Sequence, residues 1–194
     1  MPPAIVGGVK GRYMATLYND LRLDLDCANQ EDQTIVGVKL DKSKAFDRII
    51  PQFAACLFIS FGLPQAVVKV FLKIYQGLHK HMAYRNWTSP VATTHANGVA
   101  QGCSFSILAM NAYNKVWYHL LEHFPQLCAR AYIDDSYLWC HLANVSMLQQ
   151  AIQVTEVWDK LAGQQFNPGK SSMWSNTINA VSYTHLTLPT KLEV

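Results

Sequence analysis

The run "AYIDDSYLWC", residues 131–140, sets two adjacent aspartates, Asp134 and Asp135, inside an otherwise apolar and aromatic stretch. Two carboxylates in contact repel each other, and desolvating them is costly unless a positive charge lies between them. "LCARAYI" before the pair and "SYLWCHL" after it have the β-branched and aromatic character of strands. The stretch therefore reads as a hairpin with its turn at Asp134-Asp135. Two explanations of the pair stand side by side: Asp is a common turn residue that reaches positive φ, or the carboxylates hold a divalent cation.

The rest of the chain supplies the frame for that hairpin. Residues 12–29 have helical spacing through Met14, Leu17, Leu21 and Leu25, and "TIVGVKL", 34–40, is a β-branched strand that delivers Asp41 at its end. Residues 48–61 and 65–77 read as two helices separated by "FGLP", where Gly62 stops one and Pro64 opens the next. "KHMAYRN" and "SPVATTHA" form a hairpin across Asn86–Ser89, "GVAQGCS" is a loop, and residues 105–124 are a long apolar helix. Residues 145–162 are helical, and "FNPGKSSMWS" is a turn leading into a last strand. The layout predicts an α+β fold, a mostly antiparallel sheet backed by helices on one face. If the strand ending at Asp41 neighbours the second hairpin, three carboxylates reach one rim. That rim suits two magnesium ions roughly 3.5–4 Å apart.

Composition removes several alternatives. The chain has 194 residues, half of them hydrophobic and only 15% charged, which suits one domain with a real core and excludes disorder. No apolar run approaches the roughly 20 residues of a membrane span, and "MPPAIVGGVKGR" is not a signal peptide, so the expected setting is intracellular, cytoplasm or nucleus, with no membrane partner. Five cysteines without a CxxC pair read as buried free thiols, and His79 and His81, two apart, fall on a strand with no zinc spacing. The net charge is +3, but residues 65–130 hold Lys69, Lys73, Lys80, Arg85, Lys115 and Arg130 against Glu122 alone. A basic middle flanked by carboxylates suits a polyanion lying beside a metal site. Nothing in the sequence sets an oligomeric state.

Four segments in order, "KLDKSKAFDRI" (39–49), "GVAQGCSFSILAMNAY" (98–113), "YIDD" (132–135) and "FNPGKSS" (166–172), resemble the successive palm motifs of reverse transcriptases. The nearest are the enzymes of non-LTR retrotransposons and group II introns. "GGVKGR", 7–12, resembles the segment those enzymes carry before the first aspartate motif. The resemblance implies a polymerase palm with a remnant of the fingers. It also implies an RNA-directed DNA polymerase, a nucleotidyltransferase that adds dNTPs to a DNA primer 3′ end on an RNA template with two Mg²⁺ ions, or Mn²⁺ in their place.

The same resemblance assigns residues. Asp41 and Asp134 would hold the metals, Asp135 would support them or act as an occasional ligand, and the carbonyl of Lys42 is a further candidate ligand beside the nucleotide. Phe46 stands where the family has an aromatic gate against the ribose 2′-hydroxyl. Gln101 and Gly102 match the loop that approaches the incoming nucleotide, and Tyr132 and Ile133 would flank the primer terminus. Lys170 matches a late lysine that serves as general acid to pyrophosphate or attracts phosphate. The chain departs from the pattern at Ser106-Ile107, where the family has Ser-Pro, which touches helix geometry more than chemistry.

By domain, residues 1–33 are a fingers-side lead-in and 34–178 the palm. "VSYTHLTLPT", 181–190, resembles the translation of a transposase adapter used in sequencing libraries, so 181–194 is set aside as a non-native tail. The family's triphosphate-clamping fingers and helical thumb would lie outside the chain, which makes it a fragment expected to be inactive alone. The rival reading is a catalytically dead retroelement remnant or an RNA-binding, maturase-like domain without turnover. An RNA-copying RNA polymerase is disfavoured by Phe46 and by YIDD in place of a Gly-Asp-Asp turn.

Overall fold

Hydrophobic periodicity sets the elements. The computed structural model describes residues 2–76, 78–94 and 97–177. In chain order they form α1 (Met14–Gln30), β1 (Ile35–Leu40), α2 (Ala45–Arg48), α3 (Pro51–Ser60), α4 (Gln65–Gln76), β2 (His79–Tyr84), β3 (Trp87–Thr94), α5 (Ser104–Leu121), β4 (Cys128–Tyr132), β5 (Asp135–His141), α6 (Val145–Leu161) and β6 (Ser172–Ser175). Met1, Gly77, His95, Ala96 and residues 178–194, with the adapter-like tail, lie outside the described residues.

The order β4-β5-β1-β6 makes one sheet in which every neighbouring pair is antiparallel, while β2 and β3 form a separate hairpin. A parallel bridge from Ile5 to Ala131 lays the N-terminal segment along β4. Alternation along the strands divides the sheet between two cores. Val36, Val38, Leu40, Leu138 and Cys140 join Phe58, Phe71, Tyr113, Trp117 and Trp158 from the helices. Ile35, Tyr137 and Trp139 instead pack with Leu17 and Ala28 of α1. Helices therefore cover both faces of the sheet rather than one, because α1 carries its own apolar stripe and the sheet has a second apolar face to meet it.

Several boundaries depart from the sequence-based expectation for physical reasons. The helix expected from residue 48 is split, since Ile50 precedes Pro51 and takes extended geometry (φ −88°, ψ 111°), leaving one-turn α2 and then α3 with proline in its first turn. The first hairpin turns at Arg85-Asn86, not across Asn86–Ser89, because Tyr84 pairs with Trp87. In the second hairpin Tyr132 pairs with Asp135, so the turn is Ile133-Asp134 and Asp135 belongs to β5. Of the five thiols only Cys140 is buried. Cys27 and Cys56 are exposed on α1 and α3, which corrects the expectation of five buried thiols.

Candidate active site

Two pieces of backbone bring the aspartates to one end of the sheet. β1 and β5 pair from Ile35↔His141 to Leu40↔Ser136, so one step beyond the last pair stand Asp41 on one strand and Asp135 on the other. Asp134 sits beside them in the β4–β5 turn. Its carboxyl is pushed above the ordinary range by burial first, and the carboxylates of Asp135 and Asp41 push the same way, opposed by its own backbone N–H and by Lys42. The two aspartates from different motifs thus share one electrostatic neighbourhood.

The turn that presents Asp134 is strained. Ile133 takes φ +56°, a region that β-branched residues rarely enter, at a cost of roughly 1–3 kcal/mol. Three contacts hold it there. Asn114, fully buried on α5, donates its side-chain amide to the Ile133 carbonyl at 2.7 Å. Gly7 lies so close that a Cβ there would stand 2.6 Å from the Ile133 backbone nitrogen, so only glycine fits. Asn111, also on α5, donates to the Gly7 carbonyl at 3.0 Å and ties the two supports together. Ile107 is accommodated next door by Gly8 (φ +69°), where a Cβ would lie 2.2 Å from the Ile107 side chain. α5 starts without a proline at this place, and the buried Ser106 hydroxyl donates to the Ala100 carbonyl of the preceding loop.

Asp41 is fixed from the other side. Its N–H donates to Ser171 Oγ at 2.9 Å, its carbonyl accepts from the Asn167 N–H at 2.9 Å, and Ser171 Oγ donates onward to the Asn167 carbonyl at 2.9 Å. The "FNPGKSS" turn is thereby clamped onto the backbone of Asp41, and exposed Lys170 rides on the same turn. Asp135 is drawn elsewhere. Its carboxylate lies 3.0 Å from Lys39 Nζ and accepts a long hydrogen bond (3.5 Å) from the Tyr137 hydroxyl. Burial first and then Asp135 push the Tyr137 phenol upward.

Lys42 is buried, with Nζ 3.3 Å from Asp159 Oδ1 on α6. Burial raises the Asp159 carboxyl, and Lys42 pulls against that rise without cancelling it. The Lys42 side chain thus points into the protein. Phe46, in α2, is half-buried against the main core, and its carbonyl accepts from Val99 N–H at 2.9 Å, which sets it beside the loop that carries Gln101 and Gly102. Both loop residues are exposed, and Gly102 takes φ +86°. Among the described residues no hydrogen bond or ion pair links Gln101 to the aspartates. Tyr132 is half-buried against the second core and Ile133 against the first.

Ser171, Asn167, Asn114, Gly7, Lys39 and Asp159 escape a reading of the sequence for chemistry. Their signals are polar residues at buried helical positions (Asn111, Asn114, Asp159) and the polar neighbours of Lys170 in a turn already singled out.

The donor set is one of hard oxygens on mutually repelling carboxylates. Magnesium binds through one or two carboxylates plus waters and substrate phosphates, so Asp41 and Asp134 fit it. Among the described residues no group of three or more His, Cys, Asp or Glu is placed to hold a metal ion, which corrects the expectation of three converging carboxylates, since Asp135 is drawn to Lys39.

The family model described as Reverse transcriptase (RNA-dependent DNA polymerase) matches residues 1–185. No curated protein matches the sequence. Among solved structures, telomerase from Candida tropicalis in complex with a TWJ fragment of telomeric RNA is similar with TM-score 0.63 at 13% identity, over 90% of this chain and 30% of that one. Apo telomerase from Candida tropicalis is similar with TM-score 0.62 at 13% identity, over 89% and 33%. Telomerase from Candida albicans with a TWJ fragment of telomeric RNA gives TM-score 0.55 at 11% identity, over 90% and 31%. At these identities the likeness is one of fold, and the chain spans about a third of the telomerase chains' length.

Proposed function

This chain belongs to the reverse transcriptase (RNA-dependent DNA polymerase) family, and from that premise we propose that Asp41 and Asp134 are the carboxylates of nucleotidyl transfer to a DNA primer 3′ end on an RNA template. The observation that carries the reading is the convergence at Asp134: the β1–β5 register brings Asp41 and Asp135 to one sheet end, and both carboxylates bear on the half-buried Asp134 in the adjoining turn. Such a set of charges is unfavourable as a structural device and useful as a cation site. The sequence likeness in "FNPGKSS" and "GGVKGR" supports placing the chain near the non-LTR retrotransposon and group II intron branch.

Within this reading each residue has a physical task. Asp41 and Asp134 would hold the magnesium ions, which when bound lower the pKa of the primer hydroxyl and neutralise charge on the triphosphate and departing pyrophosphate. Asp135, paired with Lys39, adds negative potential to the rim. The Lys42 carbonyl is a candidate further donor, since its side chain is committed to Asp159. The Phe46 ring excludes a 2′-hydroxyl by bulk and so selects dNTPs. Gln101 hydrogen-bonds near the nucleotide and Gly102 lets backbone approach it. Tyr132 and Ile133 bear on the primer terminus. Lys170 attracts the triphosphate or protonates pyrophosphate, and its turn sets Asp41 through Ser171.

The test is Asp134→Asn in the full-length chain, read by primer extension on an RNA template and by thermal unfolding with and without millimolar Mg²⁺. The variant should lose extension. Mg²⁺ should stabilise the parent by mass action and the variant far less. A variant that still extends primers would overturn the assignment, as would Mg²⁺ raising both melting curves equally.

A further inference from the structure

The β2–β3 hairpin takes no part in the site described above, and its side chains are unusual for a surface. Tyr84 and Trp87 are 70% and 56% exposed, although large aromatic rings normally find cover. They are cross-strand partners, so both rings rise from the same face of the hairpin. Between them in the chain, Arg85 forms the turn with φ +53° and holds its guanidinium 5.4 Å from the Tyr84 ring centroid. The tip is therefore an exposed aromatic, cation, aromatic cluster. β2 and β3 pack mainly on each other, and the hairpin leads into the loop of Gln101 and Gly102.

Charge indicates what would cover these rings. No acidic residue stands anywhere between Asp47 and Glu122, while Lys69, Lys73, Lys80, Arg85 and Lys115 all fall in that interval. His79 and His81 on β2 are exposed as well. A protein partner would ordinarily meet a mix of signs around an apolar patch, whereas a hairpin with no carboxylate of its own, an arginine beside its flat rings and exposed histidines along β2 fits a polyanion with exposed bases. Successive unpaired bases stack on aromatic faces, and a guanidinium beside the ring meets the phosphate. A duplex hides its base faces and would not use the rings.

We infer that the Tyr84–Arg85–Trp87 tip is a stacking platform for single-stranded nucleic acid. The inference rests on the proposed function for its choice of RNA, the unpaired template. It adds a contact surface away from the aspartates, on which base stacking is independent of sequence.

The experiment is fluorescence anisotropy on the full chain, without dNTP or Mg²⁺, using an unstructured single-stranded RNA oligonucleotide and an RNA duplex of equal length. Tyr84→Ala and Trp87→Ala should each weaken single-strand binding about tenfold, from the usual worth of one stacked base. Duplex binding should be unchanged, and Tyr84→Phe and Trp87→Phe should keep parental affinity for both. Arg85→Gln should lower the slope of log affinity against log salt by about 0.7. Circular dichroism confirms that each variant is folded. Equal affinity of the alanine variants and the parent for the single strand overturns the inference, as does a parallel loss on single strand and duplex. The platform is read by binding without dNTP or Mg²⁺ and the polymerase assignment by primer extension with Asp134→Asn, so failure of the one and failure of the other are read separately.

Discussion

Replacing Asn114 by alanine tests whether the strained turn is held in place or merely tolerated. The substitution removes the 2.7 Å hydrogen bond to the Ile133 carbonyl from a fully buried position. A buried acceptor left without its donor costs about 1–3 kcal/mol. Two terms offset that loss. Asn114 Oδ1 has no hydrogen-bond partner, so deleting it removes a buried polar atom that nothing satisfies. The turn, once released, can also relax and recover part of the roughly 1–3 kcal/mol stored at Ile133 φ +56°. The expected net destabilisation is therefore about 1–2 kcal/mol, or a fall in Tm of roughly 2–8 °C for a chain of this size. The location of the damage is the sharper readout: amide hydrogen exchange should speed up at Asp134 and Asp135 before it does in β1 or α6. Primer extension should fall further than stability alone explains, because the relaxed turn carries Asp134 with it. A Tm within 1 °C of the parent, or a lower Tm with unchanged exchange at the turn, would refute the claim that Asn114 fixes Ile133.

Two further predictions concern titratable groups wholly or partly withdrawn from solvent. Asp159→Ala should cost about 3–5 kcal/mol by leaving the Lys42 ammonium buried without its partner, whereas Lys42→Met with Asp159→Leu should be near neutral in urea unfolding; equal losses in single and double variants would sink this. Burial, first among the causes, pushes the Cys128 thiol up to about 11. Only about one molecule in a thousand is then thiolate at pH 8, so iodoacetamide should label exposed Cys27 and Cys56 well before Cys128, with Cys128 catching up as pH approaches 11. Mass spectrometry of timed digests reads this, and early labelling of Cys128 would count against the raised thiol.

What the sequence makes legible is local periodicity and the consequences of pairing. β1 is visible in its β-branched run, α5 in its apolar length, and the meeting of Asp41 with the Asp134 turn follows once their strands are taken as neighbours. The turn itself is not legible. Propensity favours Asp134-Asp135 as turn residues over an isoleucine at positive φ, and the structure places Ile133 there because Asn114 and Gly7, distant in sequence, over-determine it. The pairing of Lys39 with Asp135 needs the register to be known, since two residues on different strands meet only diagonally. The second core was open to reading: in "SYLWC" both parities are apolar, which a strand needs only when both its faces are covered. Trp139 even finds a polar partner on that face, donating its indole N–H to half-buried Asp24 of α1 at 2.7 Å.

The two proposed metal-holding aspartates are secured by separate devices, and both devices act on backbone. Asp41 is bonded through its own N–H and carbonyl to the 167–171 turn. Asp134 is placed through the carbonyl of its neighbour Ile133, held by α5. Neither arrangement consumes the carboxylate oxygens, which is what a site must do if those oxygens are to serve a ligand and still be preorganised. Asp135 shows the contrast, with its carboxylate engaged by Lys39 at 3.0 Å. Mutual repulsion between Asp41 and Asp134 would push the β1 end and the hairpin apart if only side chains held them. Because the supports are hydrogen bonds to backbone from two independent elements, they hold both residues in place against that repulsion, and the Asp134 carboxyl, raised first by burial, is raised further by Asp135 and Asp41.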